Sequence, residues 1–373
     1  MVTVLSVIGT RPEAIKMAPV VNELRRFPDH IRSVVCATAQ HRQLLDSVLG
    51  LFDITPDYDL DLMRPAQTLT QVTIAVLAGI EQVLTDVRPD WVLAQGDTTT
   101  VMATGLACYY QHIPFAHVEA GLRTGDKLHP FPEEINRILA DALADLRFAP
   151  TDRARQNLIA EGLPEATIHV TGNTVIDALI QISQRDLPQA QAALASIPLW
   201  ADRIVLVTAH RRESFGAGFD HICQALATLA ARYPRVQFVY PVHPNPNVAT
   251  PVYRRLGGIG NISLVEPLEY AALVHLMKRA YLILTDSGGI QEEAPAFGKP
   301  VLVLRQASER PEGITAGVAR LVGTDPQCIV QEASTLLDDE TAYAQMARAI
   351  SPYGDGQASP RIVRALLASP KLP

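Results

Sequence analysis

Short, almost uninterrupted apolar runs recur along the chain, each followed by a turn and then by apolar residues spaced three and four apart. Val2–Ile8 leads to helix-period residues over 14–24, and Ile31–Ala37 leads to a second helix near 43–49. Trp91–Gln95 opens onto a Thr-rich helix, the run 113–118 precedes a helix beginning near Pro132, and Leu146–Ala149 and Ile168–Val170 complete the first half. The second half repeats the scheme with runs at 204–208, 236–240, 262–265, 281–285 and 300–304. Strands buried on both faces read as continuous apolar runs, and their alternation with helices makes the sheets parallel. Two such sets predict an α/β protein with two doubly wound domains. The polar, Ala- and Pro-punctuated stretch 181–202 marks the seam, giving a Rossmann-like domain over 1–185 and a second over 186–355. The turn Ser351-Pro352-Tyr353-Gly354-Asp355-Gly356 sets off a last segment, 356–373, with a helix from about Pro360.

The length of 373 residues agrees with two domains at roughly 150 residues each. A chain this long buries enough apolar surface to need no disulfide or metal. With 22 Gly and 27 Pro it lies well below low-complexity composition, which excludes disordered and fibrous classes. A formal charge of −7 excludes a nucleic-acid coat, whose basic face must displace counterions from phosphates. A local pocket for one small anion stays open. Cys36, Cys108, Cys223 and Cys328 lie far apart without a C-x-x-C pair, which reads as four buried thiols in a reducing compartment, neither a disulfide frame nor a zinc site. Residues 1–8 lack a basic leader and run straight into Gly9-Thr10-Arg11-Pro12, as a first strand does and a signal sequence does not. The longest uncharged stretch, between Asp97 and Glu119, is interrupted by Thr, Gln, His and Pro, so no bilayer span is expected. These features predict a soluble, cytoplasmic protein.

In doubly wound sheets, ligands bind beyond the carboxyl ends of the strands, where loops meet helix N-termini. After the first strand, Gly9-Thr10-Arg11-Pro12-Glu13 offers a tight turn, a proline suited to a first helical position and an arginine able to face an anion. An ordinary strand–helix loop reads the same way. Gly96-Asp97-Thr98-Thr99-Thr100 serves equally as an N-cap or as a carboxylate beside a ligand. Glu119 falls just past an apolar strand, in Glu119-Ala120-Gly121-Leu122-Arg123-Thr124-Gly125-Asp126, an unusual place for a merely solvated charge. Pro132-Glu133-Glu134-Ile135-Asn136-Arg137 opens a helix with paired acids, which the helix dipole favours without any function. Asp97, Glu119 and Glu133 therefore gather at the mouth of one predicted sheet. Carboxylates sharing a cleft raise one another's pKa, which suits general acid and base work.

The second half offers anion chemistry. Thr208-Ala209-His210-Arg211-Arg212 places three potential cations in a row after a strand. In Asp286-Ser287-Gly288-Gly289-Ile290-Gln291-Glu292-Glu293, a Ser and two glycines at a helix start expose N–H groups to a phosphate, with Glu293 in reach of ribose hydroxyls. His243, among Pro241, Pro244 and Pro246, reads as structural. The chain has no G-x-G-x-x-G and no Walker lysine motif, so NAD and ATP lack support.

The runs G-T-R-P-E-A-I-K-M-A-P, T-A-Q-H-R, G-D-T-T-T, H-V-E-A-G-L-R-T-G-D, P-E-E-x-N-R, T-G-N-T-V-I-D, H-R-R-E-S-F-G, T-D-S-G-G-I-Q-E-E-A and P-Y-G-D-G-Q-A-S occur in order from residue 9 to residue 359. The chain resembles the bacterial non-hydrolysing UDP-N-acetylglucosamine 2-epimerases. The resemblance implies the two-domain GT-B fold, with parallel sheets facing across a cleft that holds the nucleotide-sugar and a last helix crossing back onto the first domain. It implies interconversion of UDP-N-acetylglucosamine and UDP-N-acetylmannosamine through bound 2-acetamidoglucal and UDP, in supply of cell-surface polysaccharide. Asp97, Glu119, Glu133 and His210 match the family's catalytic positions. Arg11, Lys16, Arg137, Ser287, Gly288, Gly289 and Glu293 match its contacts to UDP and sugar.

Gln40, His41, Gln43, Gln67, Glu134, Arg211 and His243 match positions where family members bind activating substrate, although Gln40 to Gln43 can also simply cap the following helix. Pro244 departs from the Leu that many members carry there. The resemblance implies no cofactor and no metal, and a homodimer with no nucleic-acid or membrane partner. Three other readings compete: a hydrolysing sister enzyme that releases UDP and N-acetylmannosamine, a GT-B glycosyltransferase, and a silent UDP-sugar sensor. The intact activator set argues against the first, the lack of an acceptor patch against the second, and the three retained acids against the third.

Overall fold

Val2–Ile8 forms the first strand, β1, of a computed structural model that describes residues 1–38, 42–64, 66–308, 310–348 and 351–369. The chain divides into two units, residues 1–178 with 354–373, and residues 179–353.

In the first unit the strands are β1, β2 (Ile31–Ala37), β3 (Tyr58–Asp59), β4 (Trp91–Gln95), β5 (Phe115–Val118), β6 (Leu146–Ala149) and β7 (Ile168–Val170). They form one parallel sheet in the order β3-β2-β1-β4-β5-β6-β7. Helices cover both faces, so the central strands are mostly apolar, and Trp91–Gln95 is buried at every position, its terminal Gln95 included. Leu5, Val7, Val34, Cys36, Val92 and Ala94 pack against Val76, Ile80 and Leu84 of the helix Leu69–Val87 and against Ala103 and Ala107 of Thr99–Tyr110. Each fully buried aliphatic side chain of this kind contributes about 1.5–3 kcal/mol.

The terminal helix Ala358–Ala368 belongs to this unit and packs on the helix Arg11–Arg25. Gln357 gives it no side-chain cap; instead the Asp177 carboxylate accepts from the Ala358 and Ser359 N–H groups at 3.2 and 2.7 Å. Burial pushes the Asp177 pKa up, against these bonds.

The second unit holds β8 (Arg203–Thr208), β9 (Val236–Pro241), β10 (Ile262–Val265), β11 (Leu282–Thr285), β12 (Val301–Val303) and β13 (Ala319–Leu321), parallel in the order β10-β9-β8-β11-β12-β13. Strand order reverses between β1 and β4 in one sheet and between β8 and β11 in the other. Loops that leave such neighbours at a switch point diverge to opposite faces and open a crevice. β3 and β13 lie outside the expected strand set because runs of two and three residues containing Asp59 and Arg320 carry no apolar signature. Among the described residues, no helix is long and apolar enough to cross a membrane.

The cysteines are free, but only Cys36, Cys108 and Cys223 are buried. Cys328 is half-buried, contrary to expectation, because it sits in the first turn of Pro326–Asp338 at the surface. Burial pushes the Cys36 thiol up to about 12 and the Cys223 thiol to about 11.

Candidate active site

The loop after β1 is built by its own helix cap. Thr10 caps Arg11–Arg25, and Glu13 reaches back so that its Oε2 accepts from the Gly9 N–H at 2.5 Å and the Thr10 N–H at 3.1 Å. This is a capping box. Glu13 is buried, and that burial raises its pKa to about 7 against the hydrogen bonds from Thr98, Gly9 and Thr10. A Cβ on Gly9 would lie 2.7 Å from Thr100 Oγ1 and 3.0 Å from Thr38 Oγ1, so only glycine lets this loop sit against its neighbour. Arg11 is exposed as the first residue of the helix, and Pro12 takes the second helical position.

Asp97 follows β4 and is held from the helix Glu133–Leu143. Arg137 Nη2 forms an ion pair with its carboxylate, and Asn136 Nδ2 donates to its carbonyl at 3.0 Å. Arg137 also bonds Glu134 at 3.2 Å. The buried Glu134 carboxylate accepts from Thr124 and Gly125 N–H groups at 3.0 and 2.9 Å, which fixes the end of the Glu119–Gly125 loop. Glu133, the first residue of the same helix, is half-buried.

Glu119 follows β5 with φ +67°, a left-handed conformation that costs a non-glycine residue about 1–2 kcal/mol. Its Oε2 accepts from Lys16 Nζ at 2.5 Å and from Gln95 Nε2 at 2.6 Å. Gly121 has φ +84°, and a Cβ there would sit 2.3 Å from the Ala154 carbonyl oxygen. Two carboxylates thus stand on adjacent loops of one sheet, each beside its own cation.

In the second unit, Asp286 is fully buried at the end of β11. Its Oδ2 accepts from the His210 and Arg211 N–H groups, both at 2.7 Å, and shapes the loop after β8. The His210 ring stacks on His243 with centroids 5.6 Å apart. Burial lowers the His210 pKa, Asp286 opposes that, and His243 and Arg211 lower it further. His243 Nδ1 accepts from the Asn245 N–H at 3.1 Å, so the loop itself fixes the ring. Ser287 immediately precedes the short helix Gly288–Glu293 and makes no side-chain capping bond to it. Glu293 Oε1 lies 3.4 Å from where a Gly289 Cβ would stand, and Arg211 Nη2 lies 3.8 Å from that of Gly288. Arg211, Gly288, Gly289 and Glu293 therefore form one group beside His210.

Gln67 bonds within its own loop, donating to the Leu62 carbonyl at 3.1 Å and accepting from the Arg64 N–H at 2.8 Å. Gln40, His41 and the Gln43 side chain lie outside the described residues.

Gln95, Asn136, Glu13 and Asp286 also shape the site, although the motif reading assigns none of them a role. The signals were present: T-x-x-E at residues 10–13 spells a capping box, and Gln95 and Asp286 are polar residues at the ends of apolar strands.

Two parallel α/β sheets, with carboxylate–cation pairs beside one switch point and a Ser-Gly-Gly turn beside the other, define a protein of the GT-B class. The family model for UDP-N-acetylglucosamine 2-epimerase matches residues 22–367. The chain is 58% identical over 368 residues to the UDP-N-acetylglucosamine 2-epimerase of Salmonella typhimurium, covering 97% of this chain and 98% of that protein. Its structure is similar to that of the Neisseria meningitidis UDP-GlcNAc 2-epimerase bound to UDP-GlcNAc, with TM-score 0.90 and 47% identity over 98% of this chain and 100% of the other. It is also similar to the Methanocaldococcus jannaschii UDP-GlcNAc 2-epimerase in complex with UDP-GlcNAc and UDP, with TM-score 0.81 and 32% identity over 98% and 100% of the two chains. The chain belongs to the UDP-N-acetylglucosamine 2-epimerase family.

Proposed function

We propose that this protein interconverts UDP-N-acetylglucosamine and UDP-N-acetylmannosamine reversibly, by elimination and re-addition of UDP without release of the sugar. The observation that carries the reading is the pair of carboxylates on adjacent loops, Asp97 beside Arg137 and Glu119 beside Lys16. The hydrogen on carbon 2 of the sugar is not adjacent to a carbonyl and is barely acidic. If the bond from carbon 1 to UDP breaks early, the ring gains oxocarbenium character and that hydrogen becomes removable. One carboxylate takes the proton, the C–H electron pair becomes the C1–C2 double bond, and UDP leaves with its own bonding pair. The products are 2-acetamidoglucal and UDP. Re-addition of UDP with protonation from the opposite face gives the epimer.

Two faces need two proton-transfer groups, and Asp97, Glu119 and Glu133 are the candidates. His210, Arg11 and the Ser287-Gly288-Gly289 turn, through the N–H groups of Gly288 and Gly289, take up charge that develops on the departing diphosphate, on the order of 3 kcal/mol for each well-placed donor. Arg137 and Lys16 hold the acids and meet the substrate, and Glu293 takes the ribose hydroxyls. The reading extends to activation by substrate through Gln40, His41, Gln43, Gln67, Glu134, Arg211 and His243, to a homodimer, and to supply of cell-surface polysaccharide synthesis.

Proton NMR of UDP-N-acetylglucosamine with the protein in heavy water tests this. The expected product is UDP-N-acetylmannosamine with deuterium at carbon 2 and UDP still attached. Free N-acetylmannosamine with UDP would assign the hydrolysing reaction instead, and binding without turnover would leave a sensor or a transferase.

A further inference from the structure

His117 lies on β5, two residues ahead of Glu119, and its ring is fully buried. Nδ1 is 2.6 Å from Asp141 Oδ1, and Nε2 is 2.7 Å from the Gly96 carbonyl oxygen. A carbonyl oxygen only accepts. Asp141 Oδ2 in turn accepts from the Gly121 N–H at 3.1 Å and from Arg123 Nη2 at 2.7 Å. Burial pushes the Asp141 pKa up, but His117 and Arg123 outweigh it and hold the carboxyl below its ordinary range. With an ionised carboxylate on one side and a carbonyl on the other, one arrangement satisfies both partners: each ring nitrogen carries a hydrogen and donates it.

We propose that His117, as a doubly donating imidazolium seated on Asp141, is the positioning residue that holds Asp97 and Glu119 in one fixed geometry. The proposal rests on the acid–base reading of those two residues. Its two ends reach the two loops that carry them. The Gly96 carbonyl sits directly before Asp97, and the Gly121 N–H lies two residues past Glu119. The backbone at Gly96, Glu119 and Gly121 has φ of +89°, +67° and +84°. The two glycines adopt such angles freely, but at Glu119 a left-handed backbone persists only where the surroundings over-determine it, and the His117–Asp141 pair supplies bonds on both sides of that residue. Arg123 and Arg147 complete the setting, Arg123 through its bond to the Asp141 carboxylate and Arg147 by donating Nε to the Asp141 carbonyl at 2.8 Å. Arg123 is itself anchored on Glu161 at 2.6 Å. A salt bridge that only filled the core would have no reason to end on the backbone of both acid-bearing loops.

The test uses the full chain and two kinds of readout. In His117→Gln and Asp141→Asn, active sites are counted by calorimetric titration with UDP, and turnover is expressed per UDP-binding site. The expected result is a fall in kcat of about 100-fold, from misplacement of the reacting groups. KM should stay within about threefold, because neither residue touches substrate. Unchanged kcat per binding site in both variants, with active wild-type protein, overturns the clamp alone. Wild-type protein that exchanges no proton at carbon 2 overturns the acid–base reading and the clamp's purpose with it. Nitrogen-15 histidine NMR of the wild-type protein is independent of turnover and of whether a variant folds. The expected His117 signal has both ring nitrogens protonated, with slowly exchanging N–H hydrogens at neutral pH. A ring with one bare nitrogen overturns the proposal.

Discussion

Arg137 holds Asp97 in an ion pair, and the guanidinium that does so is itself almost buried while the carboxylate remains one-third exposed. The acid is therefore anchored from behind and open in front. Replacing it by an isosteric amide keeps the shape and removes the proton acceptor. Asp97→Asn is expected to lower turnover by about 10²–10⁴-fold, with UDP affinity retained; steady-state rates and calorimetry with UDP measure the two. Near-normal turnover would sink the role assigned to Asp97.

The same arginine also serves Glu134, which is 2% exposed. Arg137→Met would leave that buried carboxylate without its guanidinium. Removing one partner of a buried pair costs about 3–5 kcal/mol, so a urea unfolding curve should show a loss of that size along with reduced turnover. A stability within error of wild type would mean that the N–H groups of Thr124 and Gly125 suffice for Glu134.

Glu13 makes stability depend on pH. Its carboxyl has an ordinary value of 4.5 and is raised to about 7 by burial. Between these values the native state binds a proton that the unfolded chain has released, so stability falls as pH rises through the window, by up to about 1.4 kcal/mol per pH unit. The contribution is whole below 4.5 and lost above 7. Glu13→Gln should flatten the slope of unfolding free energy against pH over this range, measured by urea denaturation at a series of pH values. An unaltered slope would place the titrating group elsewhere.

Glu119 occupies a left-handed backbone position, and two inactive variants separate its strain from its chemistry. Glu119→Gly and Glu119→Ala both remove the carboxylate, but only glycine adopts φ +67° freely. The glycine variant should be more stable than the alanine variant by about 1 kcal/mol, read from thermal or urea unfolding. Equal stabilities would mean that the loop relaxes once the side chain is gone.

Burial lowers the His210 pKa below its ordinary 6.5, the Asp286 carboxylate notwithstanding, so the ring is neutral at pH 7 before any anion arrives. A diphosphate beside it favours the imidazolium. UDP binding should then take up protons near pH 7, seen calorimetrically as a dependence of the apparent enthalpy on the buffer's ionisation enthalpy. His210→Gln should abolish that dependence. Uptake that persists in the variant would assign the proton to another group.

Much of this protein was legible from its one-dimensional pattern. The strands Val2–Ile8, Ile31–Ala37 and Trp91–Gln95 lie where the apolar runs predict them, because strands covered on both faces carry that signature over most of their length. The loops after them showed their chemistry as well: Asp97, Glu119, His210 and the Ser287-Gly288-Gly289 turn all follow strand ends, which is where a doubly wound sheet exposes polar residues.

What the sequence could not rank was which polar residues talk to which. Lys16 pairs with Glu119, Arg137 with Asp97, and Asp286 with two backbone N–H groups after β8, and each pair joins segments far apart in the chain. Gln95 and His117 lie within runs that read as strands, and nothing local assigns either of them a partner. Local pattern records whether a residue faces core or solvent, so it determined the elements, the fold class and the positions of the loops. Partner choice depends on sheet order, on crossovers and on where a helix such as Glu133–Leu143 lays its side chains. Those are decided when distant segments pack together and every buried charge has to find an opposite charge or a hydrogen-bond donor.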